Sequence, residues 1–195
     1  SVLDEKPAGR QPIRTTVISD ARMAEVVDHL ARALEGGARA YWVCPLVEES
    51  EAIDLTAAEA RFQELRARFG DEVRLVHGQM PADDRDTAMA DFASGRARIL
   101  VATTVIEVGV DVPEATIMVI ERAESFGLAQ LHQLRGRVGR GSGASSCLLM
   151  YHEALSESGR RRLSILREVG DGFRISEEDL AMRGAGDVIG TAQSG

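Results

Sequence analysis

A parallel α/β sheet with helices on both faces is the fold class this sequence predicts. Three observations predict it. Five short apolar runs are spread along the chain, helical patterns lie between them, and the two kinds of segment alternate strand–helix–strand. The runs are rich in Val, Ile, Leu and aromatics with little polar alternation, which suits strands buried on both faces.

In order along the chain, the opening LDEKPAGRQPIRT carries two prolines and a glycine and reads as an extended connector. Residues 1–18 are assigned to that connector and to the first edge of the main domain. SDARMAEVVDHLARALEGG (19–37) predicts a helix capped by Ser19 or Asp20 and stopped at Gly36-Gly37. ARAYWVCPLV (38–47) is a strand, TAAEARFQELRARFG (56–70) a helix ending on Gly70, and EVRLVHG (72–78) a strand. PADDRDTAMADFASG (81–95) is a helix opened by Pro81 and closed near Gly95. Strands follow at 97–106, 115–122 and 145–152. Residues 19–153 thus form the main domain. Residues 154–195 hold one clear helix pattern, a Gly-Asp-Gly break, a shorter helix and a glycine-rich coil, and read as an appendage. Ligands of such sheets bind at the carboxyl ends of the strands, and the motifs below are expected there.

Composition narrows the function. The chain has 195 residues, 44% hydrophobic and 28% charged, which is ordinary for a soluble globular protein. No apolar run reaches the roughly 18 residues of a membrane span, and the N-terminus has no signal-peptide pattern. Cys44 and Cys147 lie far apart inside apolar runs and are expected as buried thiols in a reducing, cytoplasmic compartment. Lys6 is the single lysine, so a phosphate-cradling loop with its Lys-Ser/Thr is excluded. His29, His77, His132 and His152 are scattered and predict no metal site. No nucleophile is paired with a base.

The net charge is −8, yet residues 135–174 hold eight arginines against four acids. Within them lies QLRGRVGRG (133–141), three arginines spaced by glycines. Either this is a solvated arginine-rich helix, or it meets an anion approached closely by backbone and guanidinium together. The second reading reconciles an anion motif with a chain that lacks a phosphate loop: the site is shared, and Arg137 and Arg140 reach a nucleotide held by another domain. Guanidinium groups suit that role because their planar donors match phosphate oxygens. Three residues apart, the two share a face if the segment begins a helix, and Gly136 and Gly139 leave the approach uncrowded. ILVATTVIEVGVDVP (99–113) runs from a buried strand into Thr103-Thr104 and on to Gly109 and Asp111. It is either a plain strand end with a polar turn or a source of hydroxyl contacts to a phosphate backbone and a carboxylate for a ribose hydroxyl. His77 is expected to be structural, and Tyr41 and Trp42 to lie in the core. Arg160, Arg161 and Arg162 cannot all face one way on a helix.

Together, in this order and spacing, the motifs resemble the second RecA-like domain of a superfamily 2 helicase: ILVATTVIEVGVDVP resembles motif V and QLRGRVGRG motif VI. The lead-in LDEKPAGRQPIRT, YWVCPLVEESE at the first strand and DLAMRGAGDVIGTAQSG at the end narrow the resemblance to the RecG family of branched-DNA translocases. It covers essentially the whole chain. The resemblance implies a RecA-like parallel sheet followed by a C-terminal helical hairpin and loop that drive translocation. It implies Arg137 and Arg140 on the γ-phosphate, Gln133 in the motif VI network, and Gly109 and Asp111 facing the nucleotide. Thr103 and Thr104 would contact DNA or relay between sites, and Arg162, Arg183 and Gln193 would couple nucleotide state to movement on duplex DNA. Ala192 stands where the family pattern has arginine. ATP and Mg2+ would be held mainly by a first RecA-like domain absent from this chain, as is the wedge domain. The partner would be branched double-stranded DNA, at stalled forks and Holliday junctions, and this chain alone would be catalytically silent. The alternatives are an Mfd-type transcription-repair coupling translocase and a non-catalytic DNA-binding module.

Overall fold

The computed structural model describes residues 13–45, 51–103, 112, 115–138, 144–152, 157, 160, 161 and 163. Six strands form one sheet: β1 (Ile13–Ser19), β2 (Arg39–Cys44), β3 (Val73–Val76), β4 (Ile99–Thr103), β5 (Ala115–Ile120) and β6 (Ser145–Tyr151). Their spatial order is β1-β6-β5-β2-β4-β3, and every neighbouring pair is parallel. Four helices accompany them: α1 (Met23–Glu35), α2 (Glu51–Phe69), α3 (Ala82–Ser94) and α4 (Leu128–Arg135).

Strand order and handedness together decide which face each helix covers. The crossovers β1→β2 and β2→β3 travel one way across the sheet, while β3→β4 and β5→β6 travel back. Right-handed connections therefore put α1 and α2 on one face and α3 and α4 on the other. The core divides accordingly. Val26, Leu30 and Leu34 of α1 and Ala58 and Leu65 of α2 pack with Ala40, Trp42 and Cys44. Ala88, Met89 and Phe92 of α3 and Leu131 of α4 pack with Tyr41, Val43 and Leu149. Adjacent strand residues thus serve opposite faces, as the pleat requires.

Five strands form within the predicted runs, with tighter bounds. β1 begins at Ile13, inside the stretch read as connector, because Ile13 and Val17 join the α3/α4 face and Ile18 the other. Ser19 caps as expected: its hydroxyl accepts the Ala21 amide at 3.1 Å and opens a 3-10 turn, Asp20–Arg22, ahead of α1. Helix α2 starts at Glu51, before the Thr56 read as its start. The Thr56 hydroxyl bonds back to the Ala52 carbonyl at 2.8 Å, so it sits inside the helix instead of capping it. Helix α3 stops at Gly95, whose φ of 90° takes the left-handed conformation that ends helices. Two arginines complete the helix ends: Arg39 Nη1 donates to the Ala93 carbonyl at 2.7 Å, and Arg98 Nη1 to the Leu34 carbonyl at 2.5 Å. Tyr41 and Trp42 are in the core, and both cysteines are buried free thiols, as predicted.

Candidate functional site

The arginine segment closes a helix; it does not open one. Leu131 and Leu134 of α4 recur at helical spacing, Leu131 wholly buried and Leu134 packed against the same cluster. At the helix start the Gly127 amide donates to Gln130 Oε1 at 3.2 Å. At its end the Arg137 amide donates to the Leu134 carbonyl at 3.0 Å and the Val138 amide to the Arg135 carbonyl at 3.3 Å. These tight bonds satisfy carbonyls that have no partner within the helix. Val138, fully buried, pins the turn to the core. Gln133 is exposed on the last helical turn and Arg137 partly exposed just beyond it. Arg135 leans toward β6: burial raises the Cys147 thiol pKa to about 12, and the Arg135 charge opposes that rise. Arg135 thus supports the turn, while Arg137 follows it toward solvent.

Thr103 ends β4, pairs with Cys44 of β2 and is buried. Not every motif lies at the carboxyl ends, contrary to expectation. Thr103 does, but Arg137 precedes β6, and Val112, whose carbonyl accepts the Ala115 amide at 2.9 Å, precedes β5. In a parallel sheet these are amino-end positions. The five-residue length of β4 puts about 16 Å between the two ends. The structure therefore does not bring Thr103 and Arg137 together. Thr104, Gly109, Asp111, Arg140, Arg162, Arg183, Ala192 and Gln193 lie outside the described residues.

A polar constellation that sequence reasoning missed occupies the carboxyl ends. Glu121, just after β5, is a hub. Its Oε2 accepts from Trp42 Nε1 at 2.5 Å and from Arg61 Nε at 2.6 Å, and its Oε1 accepts from Arg61 Nη2 at 3.0 Å. Arg61 also pairs with Glu64 and lies over the Trp42 ring, 5.9 Å from its centroid. Burial works against the Arg61 charge, but the Glu121 hydrogen bonds and charge, with Glu64, outweigh it and raise its pKa. Burial, then the Glu121 charge, pushes the Cys44 thiol well up, only partly countered by Arg61. The group borders a cavity of about 360 Å³ that Asp20, Asp54, Arg61, Glu121, Arg122 and His152 help to line. Its place is a topological switch point, since β2 leads to a helix on one face and the neighbouring β5 to one on the other.

Beside the cavity, His152 follows β6 directly. Its Nδ1 lies 3.0 Å from Asp20 Oδ2, and its amide is 3.4 Å from both Glu124 carboxylate oxygens. Burial raises the Glu124 pKa, opposed by amide hydrogen bonds, including that of His152, and by the Arg122 and His152 charges. The signal for the hub was one acid ending a buried strand beside the strand that holds the only tryptophan; nothing local marks it as more than a polar strand end. His77 is structural in the described residues, its Nδ1 accepting the Gln79 amide at 3.1 Å. No described helix is long and apolar enough to cross a membrane, and no His, Cys, Asp and Glu among the described residues cluster to hold a metal ion.

Similarity to known proteins agrees with this arrangement. Residues 22–142 match the helicase conserved C-terminal domain. Across its full length the chain is 54% identical to the ATP-dependent DNA helicase RecG of Acidithiobacillus ferridurans, 50% to that of Escherichia coli K12 and 46% to that of Bacillus subtilis 168. It spans 28–29% of those relatives. Among solved structures, RecG bound to a three-way DNA junction superposes with a TM-score of 0.72 at 40% identity, over 95% of this chain and 24% of that one. Dbp5 of S. cerevisiae, bound to RNA and ADP BeF3, shares the fold at a TM-score of 0.61 and 16% identity, over 98% of this chain and 47% of that one. These matches do not favour the coupling-factor or binding-module alternatives. The chain belongs to the family of helicase conserved C-terminal domains, and its similarity to RecG runs along its full length.

Proposed function

We propose that this chain is the second motor domain of an ATP-dependent DNA helicase that remodels branched double-stranded DNA in the cytoplasm. The observation that carries the proposal is the glycine-flanked turn at the end of α4, pinned by buried Val138 and leaving Arg137 partly exposed. Such a turn fits a phosphate that arrives from a facing domain. The guanidinium of Arg137, with that of Arg140, donates to phosphate oxygens as charge builds on them. Gln133, on the preceding helical turn, orients the arginines, and Gly109 and Asp111 face the sugar and phosphates. The nucleotide's phosphates and Mg2+ are held mainly by a first RecA-like domain in the remainder of the parent chain, which also carries the wedge domain. Two features support this: the single lysine, Lys6, which leaves no phosphate loop here, and the fraction of its relatives that the chain spans.

At the other end of the sheet, Thr103 and Thr104 meet the DNA backbone. Arg162, Arg183 and Gln193, in an appendage formed by residues 154–195, couple nucleotide state to DNA movement. The DNA bound by the RecG neighbour, a three-way junction, supports branched DNA as the substrate. The test is ATP turnover of the intact parent protein with Arg137→Ala or Arg140→Ala, with and without branched DNA. Loss of about 10³-fold or more in DNA-stimulated turnover, with nucleotide binding kept, is expected of an arginine finger. Unchanged turnover refutes the assignment.

A further inference from the structure

Helix α4 belongs to a longer run that is anchored as a unit. Ala123, Phe126, Leu131 and Val138 are each buried, and all four join the apolar cluster on the α3/α4 face. Eight helical residues at 1.5 Å each make α4 about 12 Å long, so the run carries the arginine turn at one end and Glu124 at the other. Glu124 sits in the 3-10 turn Ala123–Ser125, on the carboxyl side of the sheet. Displacement of Arg137 along the axis of so well anchored a run is felt at Glu124.

What Glu124 touches there is the root of the C-terminal appendage. Both of its carboxylate oxygens face the His152 amide at 3.4 Å, and the His152 ring is held by Asp20 at 3.0 Å, past the end of β1. The ends of β1, β5 and β6 therefore gather on the residue from which the chain departs. Beyond it, Leu163 is fully buried in the same cluster as Leu131 and Val138. The appendage thus meets the arginine-bearing layer twice, once through packing at Leu163 and once through polar contacts at His152.

We infer that Glu124, through the His152 amide, is a positioning residue that transmits movement of the arginine turn to the C-terminal segment and so couples nucleotide turnover to DNA movement. The inference rests on the proposed function. A linkage of this kind needs coupling measurements, because proximity alone does not establish it. The experiment measures two quantities on the intact parent protein: DNA-stimulated ATP hydrolysis and branched junctions converted per ATP hydrolysed. Glu124→Ala is expected to lower conversion per ATP about 5-fold or more while hydrolysis changes much less. Glu124→Gln, which keeps an acceptor for the His152 amide, restores most of the conversion. Equal loss of hydrolysis and conversion in Glu124→Ala marks a merely structural role and overturns the inference, as does unchanged conversion per ATP. Should Glu124→Ala fail to fold, Glu124→Gln and His152→Asn decide: conversion per ATP near wild type in the first and lowered in the second supports the linkage, and any other pattern overturns it. Arg137→Ala, measured alongside, separates the two claims, since intact hydrolysis in that variant refutes the shared site whatever Glu124 does.

Discussion

Replacing Arg61 by leucine tests whether the Glu121 hub holds α2 to the sheet. The change removes two hydrogen bonds to the carboxylate, at 2.6 and 3.0 Å, and leaves Trp42 Nε1 as its remaining strong donor. A hydrogen bond to a charged group contributes about 1.5–3 kcal/mol net, and breaking a fully buried pair costs about 3–5 kcal/mol. The side chains here are 23% and 17% exposed, so water recovers part of that loss. A net cost of about 2–3 kcal/mol follows, against a whole-domain stability of about 5–15 kcal/mol. With a urea dependence of about 2.5 kcal/mol/M, the unfolding midpoint falls by about 1 M. Trp42, the only tryptophan, is the natural probe because its indole N–H binds the same carboxylate, so its emission reports both unfolding and any change at the hub. Arg61→Leu combined with Glu121→Leu is expected to be more stable than Arg61→Leu alone, since no buried charge is then left without its partner. A midpoint unmoved by Arg61→Leu, or a double variant less stable than the single one, refutes the hub as an anchor.

Two further outcomes follow from the burial pattern. Leu131→Ala leaves a cavity where α4 meets the sheet, should cost about 2–5 kcal/mol in urea unfolding, and should reduce DNA-stimulated ATP turnover in the parent protein by loosening the arginine turn. The Cys147 thiol, raised by burial from 9.0 to about 12, keeps its proton in the folded state while the unfolded chain releases its own. Stability should therefore be unaffected below about pH 9 and fall from there toward about pH 12, and thiol-reactive probes should label Cys147 at pH 8 only at the rate of unfolding.

Strand–helix alternation made the sheet legible, because strands buried on both faces show as continuous apolar runs and four of the predicted segment ends fall on glycines. β1 was harder to see, since Pro7, Gly9 and Pro12 just ahead of it pulled the reading toward a connector. Helix α4 was missed although Leu128, Leu131 and Leu134 recur every three residues. Eight residues give a periodic signal little room, and the arginines drew the reading toward a helix start. The arginine motif itself was legible as chemistry because glycine beside arginine is unusual on a solvated surface. The Glu121 hub was not, because its partners Trp42 and Arg61 come from 79 and 60 residues away and meet only once the strand order is known.

That strand order also bears on how a motor domain of the proposed kind works. A parallel sheet has two chemically different ends, and the chain must run the length of a helix to pass from one to the other. Arg137 at the amino end and Thr103 at the carboxyl end are therefore joined by rigid elements, with α4 the one that leads directly from the arginine turn back across the sheet. In the proposed function this separation is useful: nucleotide chemistry at one end is kept about 16 Å from DNA contacts at the other, so communication must be mechanical. A helix anchored by Leu131 and Val138 can move as a body, whereas a loop of the same length would absorb the displacement. The Glu124–His152 contact lies where that body meets the chain's departure toward the C-terminal segment, so the stiffness of α4 and the integrity of that contact should limit coupling in series. Loosening either one should uncouple turnover from DNA movement, and loosening both should do little more than the worse of the two.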